Sequence, residues 1–445
     1  MNDVKALPAK VKYCIIGAGV HGLSTAYHLA VQLKSRGASP ANEIVVIDKT
    51  GVAAGASGIA CGVVRNNYFQ PAMSALMIAS IDVWEDHAAK LNYHSVGYLA
   101  TAGPKQAIDL QNIAERHRAA DYPCNYVEGQ PACNAYMSQL FPDWKQSDAM
   151  AVLHEDRGGF AYSREAILGL ASMVREQGVP IVSPVEVQGF EFDPNDDSVR
   201  AVHTSAGSIE IETLVVAVGP WIQQAWTMLQ LPLKIDVRDR NGELYPNRDM
   251  WTFWQLQEGE VGLEDDVFTL QDGSTPPVMH IDSEEPLADE DGRRITSGPW
   301  GIYFKRHHGN TQGGAVPLGL GTEAEVDPYG ADSPHYTVDD SFVVYWTAGL
   351  ARSLRRFEGC RERYKHAASG GIGCFSVDNF PVFDFMRPNA YVIADSNHGF
   401  KMIGVGKEVA SVLIGHSSKI LSPFRFSRFV EGQLHPVSNS PFPWA

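Results

Sequence analysis

The chain of 445 residues has little cysteine and no long apolar run. Its six cysteines, Cys14, Cys61, Cys124, Cys133, Cys360 and Cys374, are scattered with no CxxC pair. That argues against both a zinc site and a disulfide framework. No stretch approaches the ~18 apolar residues of a membrane span. The opening MNDVKALPAK lacks the apolar core of a signal peptide and predicts an uncleaved, cytoplasmic protein. Positive charge is also short: 36 Lys and Arg against 52 Asp and Glu give a net charge of −16, which disfavours nucleic acid as a partner. Internal repeats and low-complexity tracts are absent. What remains is an ordinary globular composition, 44% apolar, at a length that suits two intertwined domains.

What is present is concentrated between Lys12 and Arg65. An apolar strand, KYCII, runs into GAGVHG, a helix follows, and a second strand, EIVVID, ends in Asp48. Gly17, Gly19 and Gly22 have the GxGxxG spacing: a tight turn, close approach of backbone to a pyrophosphate, and close packing of helix on strand. The helix starting near Val20 aims free N–H groups at that phosphate. Asp48 is placed to hydrogen-bond a ribose hydroxyl. A lone GxGxxG is weak evidence, but the strand before, the helix after and the acid at the next strand tip supply its context, so a dinucleotide is expected.

Further along, GVAAGASGIACGVV is a run of small residues that permits backbone to approach a flat ring. Helices are predicted from Pro71, with an apolar stripe through Leu76, Ile81 and Trp84, and from Ser163 to a stop at Gly178. Lys105 to Ala120 reads as an exposed amphipathic helix, and LARSLRRFEGCRERYKH as a basic one. Short strands follow the Ser163 helix, and TLVVAVG, ending at Gly219–Pro220–Trp221, reads as a buried parallel strand returning to the nucleotide sheet. Residues 231–294 are acidic and loop-rich, and the segment after Ser422 is irregular and is expected to lie along a partner subunit. The predicted fold is therefore α/β with an α+β part. A Rossmann-like domain, discontinuous in sequence (1–90, 151–226 and 366–430), is joined to a substrate domain on a mixed or antiparallel sheet (91–150 and 227–365), with 431–445 as a tail.

Two features favour FAD over NAD: the small-residue loop leading to Arg65, and a glycine-rich C-terminal stretch, GGIGC to SNHGFKMIGVGKE. A helix beginning near Val405 would aim its positive end at the flavin's pyrimidine edge. The expected lining is Gly17, Gly19, Val20, His21 and Gly22 from the turn, with Asp48 and Lys49 from the strand tip. Ala56, Ser57, Cys61 and Gly62 come from the loop, Val187, Gly219 and Trp221 from the middle, and Cys374, Gly399, Phe400, Lys401 and Met402 from the C-terminal part.

These motifs resemble the FAD-dependent amine and amino-acid oxidoreductases that include glycine oxidase, sarcosine oxidase and D-amino-acid oxidase. GAGVHGLSTAYHLA, EIVVID, TLVVAVGPWI, DNFPVFDF and NHGFKMIGVGKEVA carry the likeness. It is strongest to monomeric sarcosine oxidase and the β subunit of the heterotetrameric enzyme, through RNNYFQPAMSALMIASIDVW. The resemblance implies that Arg65 binds a substrate carboxylate and that Lys401 is a second cation for it. Buried anions need paired cations, and a guanidinium offers a bidentate fork. His398 is a further candidate, as a base or packed beneath the ring.

The chain also departs from the family. GGAVPLGLG lacks the lysine with which sarcosine oxidases activate oxygen, Lys305 lies well upstream, and the acceptor is left open between oxygen and another carrier. Phe304 and Ser376 stand for pocket tyrosines, and Gly62 for an arginine beside the flavin. Cys374 is nearer to Asp378 than the tethering cysteine of the monomeric enzymes, so a covalent link is possible by likeness but not expected. The implied reaction is oxidation of a carboxylate-bearing secondary or tertiary amine (sarcosine, dimethylglycine or iminodiacetate) with no metal. A primary amino-acid oxidase, or an FAD-binding subunit of a larger complex, are the alternatives, and a homo-oligomer is possible.

Overall fold

The structure is a computed structural model that describes residues 7–262, 268–365, 370–394 and 399–442. Its frame is a parallel sheet in the order Ile181–Val182, Ile44–Ile47, Lys10–Ile16, Gly207–Val216 and Ala390–Ala394, with Val382–Arg387 added antiparallel. Strands buried on both faces read as unbroken apolar runs, as YCII, IVVI and LVV do here. On one face Tyr13, Ile15, Val46, Val215 and Ile393 meet four helices: Val20–Ser35, Pro71–Asp86, Ser163–Glu176 and Gly404–Leu413. On the other face Cys14, Ile47, Leu214 and Val392 meet Trp226, Trp251 and Phe253. This is the α/β layer expected from the sequence, and Leu76, Ile81 and Trp84 are all in its core.

A second, mixed sheet runs in the order Tyr364–Lys365, Glu258–Gly262, Asn310–Ala315, Trp300–His307, Val278–Ser283, Tyr98–Ala102, Ala151–Glu155 and Cys124–Glu128. All its neighbours are antiparallel except Val278–Ser283 beside Tyr98–Ala102. Leu99, Met279, Ile281, Ile302 and Phe304 turn to one face, where Asp340–Ser353 and Gln130–Leu140 cover them. Period-two alternation sends their neighbours to the opposite face, where Tyr98, His280 and Tyr303 border a cavity.

Several local expectations change. The strand Ala151–Glu155, which the sequence reading put at the start of a nucleotide-domain segment, pairs with Tyr98–Ala102 in the second sheet. LARSLRRFEGCRERYKH does not form the expected basic helix: its first four residues end the largely apolar helix Asp340–Ser353, capped by Asp339 on the amides of Ser341 and Phe342, and short 3-10 turns follow at Arg355–Phe357 and Cys360–Arg363. Ala107–Ala119 is the amphipathic helix expected there, with Asp109, Leu110, Ile113, Ala114 and His117 on its buried side and Ile108, Glu115 and Arg118 exposed. The described chain after Gly432, as far as residue 442, is irregular, as expected, but it folds back on its own body. Asn439 donates to Asp109 through its backbone N–H (2.6 Å) and its side-chain amide (2.8 Å), and Gln70 donates to the Pro436 carbonyl. Among the described residues no helix is long and apolar enough to cross a membrane.

Candidate active site

One cavity of about 530 Å³ runs between the two sheets. Its walls at one end are mostly backbone and small side chains. Gly17, Gly19, Val20 and His21 line it where the helix Val20–Ser35 begins, and the loop contributes Ala56, Ser57, Cys61 and Gly62. The Ser57 hydroxyl accepts from the Val20 N–H at 3.2 Å and so ties that loop to the helix start. Asp48 lines the cavity at its strand tip. It accepts from the amide of Ala18 (2.8 Å) on one oxygen and from Thr50 and Gly51 (2.9 and 2.7 Å) on the other. Three of roughly four lone-pair positions are used, so one acceptor direction remains for a hydroxyl.

Lys49 lies 4.2 Å from the Trp221 ring centroid and pairs with Asp327, which also accepts from the Trp221 indole N–H. Val187 and Gly219 complete this end. Gly62 has φ +80°, and an added Cβ would lie 2.0 Å from the Ala161 carbonyl oxygen. The arginine that the family resemblance suggested for this place would therefore be strained and would clash, whatever its charge could do.

Two expected lining residues are elsewhere. Gly22 does not border the cavity; an added Cβ there would sit 1.9 Å from the Gly17 carbonyl oxygen, so its role is the close packing of helix on turn. Met402 is fully buried in the helical core. The helix Gly404–Leu413 does not aim its first amides at the cavity. Gly404 N–H donates to the Ser80 hydroxyl, Val405 N–H to the Met402 carbonyl, and the wall ends at Lys401. Gly399, Phe400 and Lys401 do line it as a short turn, held by the Trp84 indole N–H donating to the Lys401 carbonyl at 3.0 Å. His398 lies outside the described residues. Cys374 also lines the cavity, but burial pushes its thiol well above the ordinary range, which disfavours the thiolate.

The other end is built of polar side chains. Arg65 is buried, with its guanidinium 4.7 Å from the Tyr68 ring centroid and 5.4 Å from that of Tyr98. It donates to the Asn67 carbonyl at 2.9 Å. Burial disfavours its charge, yet Tyr98, Tyr68, Glu155 and Asp282 outweigh that and hold it firmly protonated. Among the described residues no carboxylate lies within ion-pair distance of it. Arg65 and Lys401 border the same cavity, as the sequence reading required.

Four residues that the sequence reading passed over complete this end. The register Glu258↔Gly314, Gly314↔Tyr303 and Tyr303↔His280 places them in one row across adjacent strands, and Tyr98 shares the face next door. The Tyr303 hydroxyl donates to Glu258 Oε1 at 2.7 Å, over Gly314, whose missing Cβ would lie 2.5 Å from that hydroxyl. Glu258 Oε2 is buried without a hydrogen-bond partner. Burial pushes the Glu258 carboxyl up to about 7, opposed by Tyr303, the Cys61 amide, Lys305 and Lys401.

The pocket tyrosine is thus Tyr303 and not position 304, whose phenylalanine points into the helix-covered core. The signal was available, because in WGIYFKRH the alternation puts Tyr303 and Lys305 on one face and Phe304 on the other. Ser376 is also not a pocket residue; its hydroxyl is bound to Asp378 and to the Phe380 carbonyl. Lys305, far from GGAVPLGLG in sequence, is almost fully buried. It is held by Gln312 at 3.0 Å, lies 4.7 Å from the Phe160 ring centroid, and is close enough to Cys61 and Glu258 to influence both.

The long cavity, with its phosphate-facing helix start, its acid at a strand tip and its wall of small residues, fits a flavin dinucleotide. No group of His, Cys, Asp or Glu among the described residues could hold a metal. The peroxisomal sarcosine oxidase of Homo sapiens is 24% identical over 93% of this chain and 95% of its own length. Sarcosine oxidase subunit beta of an Arthrobacter species is 25% identical over 46% of this chain and 49% of its own length. Among solved structures, L-proline dehydrogenase from P. horikoshii superposes with a TM-score of 0.72 at 18% identity, covering 96% of this chain and 100% of that one. Glycine oxidase from Geobacillus kaustophilus gives 0.68 at 17%, covering 95% and 99%. With residues 12–412 matching the family described as DAO, FAD dependent oxidoreductase, the chain belongs to that family and is an FAD-dependent oxidoreductase.

Proposed function

We propose that the enzyme oxidises the C–N bond of a small carboxylate-bearing secondary or tertiary amine, an N-alkyl glycine such as sarcosine, dimethylglycine or iminodiacetate. The observation that carries this reading is Arg65: a buried guanidinium bordering the cavity with no carboxylate of its own to pair with among the described residues. Its neighbours keep it charged from beyond ion-pair distance, so a carboxylate entering the cavity would form the bidentate pair that it lacks. Lys401 supplies the second positive charge to that anion. The names of the sarcosine oxidases and of the dimethylglycine dehydrogenase of Rattus norvegicus, 25% identical over 49% of this chain, support the same class of substrate.

In this reading Arg65 and Lys401 fix the carboxylate, so the carbon next to nitrogen is presented in one orientation. Orientation of this kind supplies several kcal/mol of the barrier. FAD, held by the glycine turn, Asp48 and the small-residue loop, supplies the two-electron acceptor. Water then cleaves the oxidised C–N bond to an amine and an aldehyde or glyoxylate. Lys305, buried close enough to Cys61 and Glu258 to influence both, would add positive charge beside the cavity, and the acceptor is oxygen or another electron carrier.

The test is to mix the FAD-loaded protein without oxygen with glycine, sarcosine, dimethylglycine and iminodiacetate, follow loss of yellow colour, and then admit air. Bleaching by an N-alkyl glycine faster than by glycine supports the proposal. Bleaching by glycine alone, or by amines lacking a carboxylate, overturns it.

A further inference from the structure

Beside Arg65 stands a chain of three polar side chains that carboxylate binding leaves unused. The Tyr98 hydroxyl is 2.5 Å from His280 Nδ1, and His280 Nε2 is 3.1 Å from Asp282 Oδ1. A carboxylate can only accept, so Nε2 carries the ring hydrogen and Nδ1 of the neutral ring accepts from Tyr98. Tyr98 and His280 both line the large cavity. On the far side His280 and Asp282 border a small second cavity, with Arg65, Gln106, Asp109 and the tail residues Ser438 and Ser440. The chain of hydrogen bonds therefore leads from the substrate end to a separate compartment under the C-terminal segment.

The chemistry of the proposed substrate calls for such a path. An alkylammonium resembles lysine, which titrates at ~10.4, and so arrives protonated at neutral pH. Only the free amine has the lone pair that becomes the π bond of the imine. We infer that Tyr98, His280 and Asp282 take the proton from the substrate's ammonium. The Tyr98 O–H bond breaks as its proton passes to His280 Nδ1, giving an imidazolium held by Asp282, and the phenolate oxygen takes the ammonium proton as the substrate's N–H bond breaks. No electrons change hands in this step. Tyr98 touches the substrate, whereas His280 and Asp282 act through it.

The charged and titratable groups around the chain are Arg65 and Tyr68 on the loop, Asp109 on the helix Ala107–Ala119, Glu155 on the strand Ala151–Glu155, Tyr303 on the strand beside His280, and Tyr345 on Asp340–Ser353. Arg65 favours the phenolate that forms transiently on Tyr98, while burial opposes it.

This inference rests on the amine-oxidation reading, and the experiment separates the two. The FAD-loaded protein and its Tyr98→Phe and His280→Asn variants are mixed anaerobically with sarcosine from pH 6 to 10. Each variant is expected to bleach about tenfold or more slowly at pH 7 and to recover to within about threefold of the parent at pH 10, where the free amine is plentiful, because one pKa unit is a factor of ten. Methoxyacetate, a carboxylate with no ionisable amine, is expected to perturb the flavin absorbance at unchanged concentration in all three proteins, which separates a proton-transfer role from a structural one. An indicator dye in weak buffer is expected to show about one more proton released per site on sarcosine binding to His280→Asn than to the parent. Variant profiles that keep the parent midpoint, or equal proton release, overturn the inference while bleaching stands. Sarcosine that binds without bleaching removes the oxidation reading and leaves the proton count to decide. Sarcosine that does not bind removes both.

Discussion

The two ends of the cavity are built by different means. At the nucleotide end the wall is backbone, glycine and alanine, drawn from short stretches of sequence: the Gly17–Gly22 turn, the Asp48 tip and the Ala56–Gly62 loop. At the other end, where the substrate is proposed to bind, it is a row of long polar side chains, Glu258, Tyr303, His280 and Tyr98, each from a different strand. A dinucleotide presents the same phosphates and ribose in every enzyme, so a fixed local turn can hold it. A substrate is distinguished by few atoms, and an array of side chains can be changed one strand at a time.

This contrast can be broken by experiment, beginning with its largest expected consequence. Arg65→Ala should slow bleaching by carboxylated amines about 30- to 5,000-fold, the range for truncating one side of a buried charge pair, ~2–5 kcal/mol. FAD content after gel filtration should stay as in the parent. Equal loss of flavin and of bleaching would mean that the two ends are not separable.

The converse variant, Gly22→Ala, places a Cβ 1.9 Å from the Gly17 carbonyl oxygen. It should lower stability by ~1–3 kcal/mol, as overpacking does, and weaken FAD retention. The substrate preference of the flavin that remains should not change.

Glu258→Gln should separate the ends by pH. Burial raises the folded-state pKa of Glu258 from the ordinary 4.5 to about 7. Its protonated form is therefore the one the fold tolerates, and stability is lost as pH rises between those two values. The variant is free of that loss, so its melting temperature relative to the parent should climb by a few degrees between pH 4.5 and 8. A flat difference across that window would show that the carboxyl ionises freely.

The smallest effect is expected from Phe304→Leu. It should cost about 1 kcal/mol of packing with no change in the order of substrates, whereas Tyr303→Phe should change that order with little loss of stability.

The Rossmann-like layer was legible because its signals are local. Glycine spacing, an apolar strand and a terminal acid lie within 54 consecutive residues, Lys12 to Arg65. Helix starts at Pro71 and Ser163 followed the same logic. Arg65 and Lys401 were legible only through family resemblance, since nothing in RNNY or HGFK says that the two turns meet. The substrate row was missed for a further reason. Glu258 lies in a stretch that reads as solvated acid, and only pairing through Gly314 puts it beside Tyr303. Lys305 was set aside because it stands far from the expected motif, although the fold buries it behind Cys61 and Glu258.

By itself, then, the sequence determined a dinucleotide cradle, because each of its parts acts on its immediate chain neighbours. The tertiary structure alone decided which charges share the far end of the cavity. Strand register, which no local pattern encodes, chooses which residues of distant segments stand side by side, and burial then decides which of those charges must find a ligand.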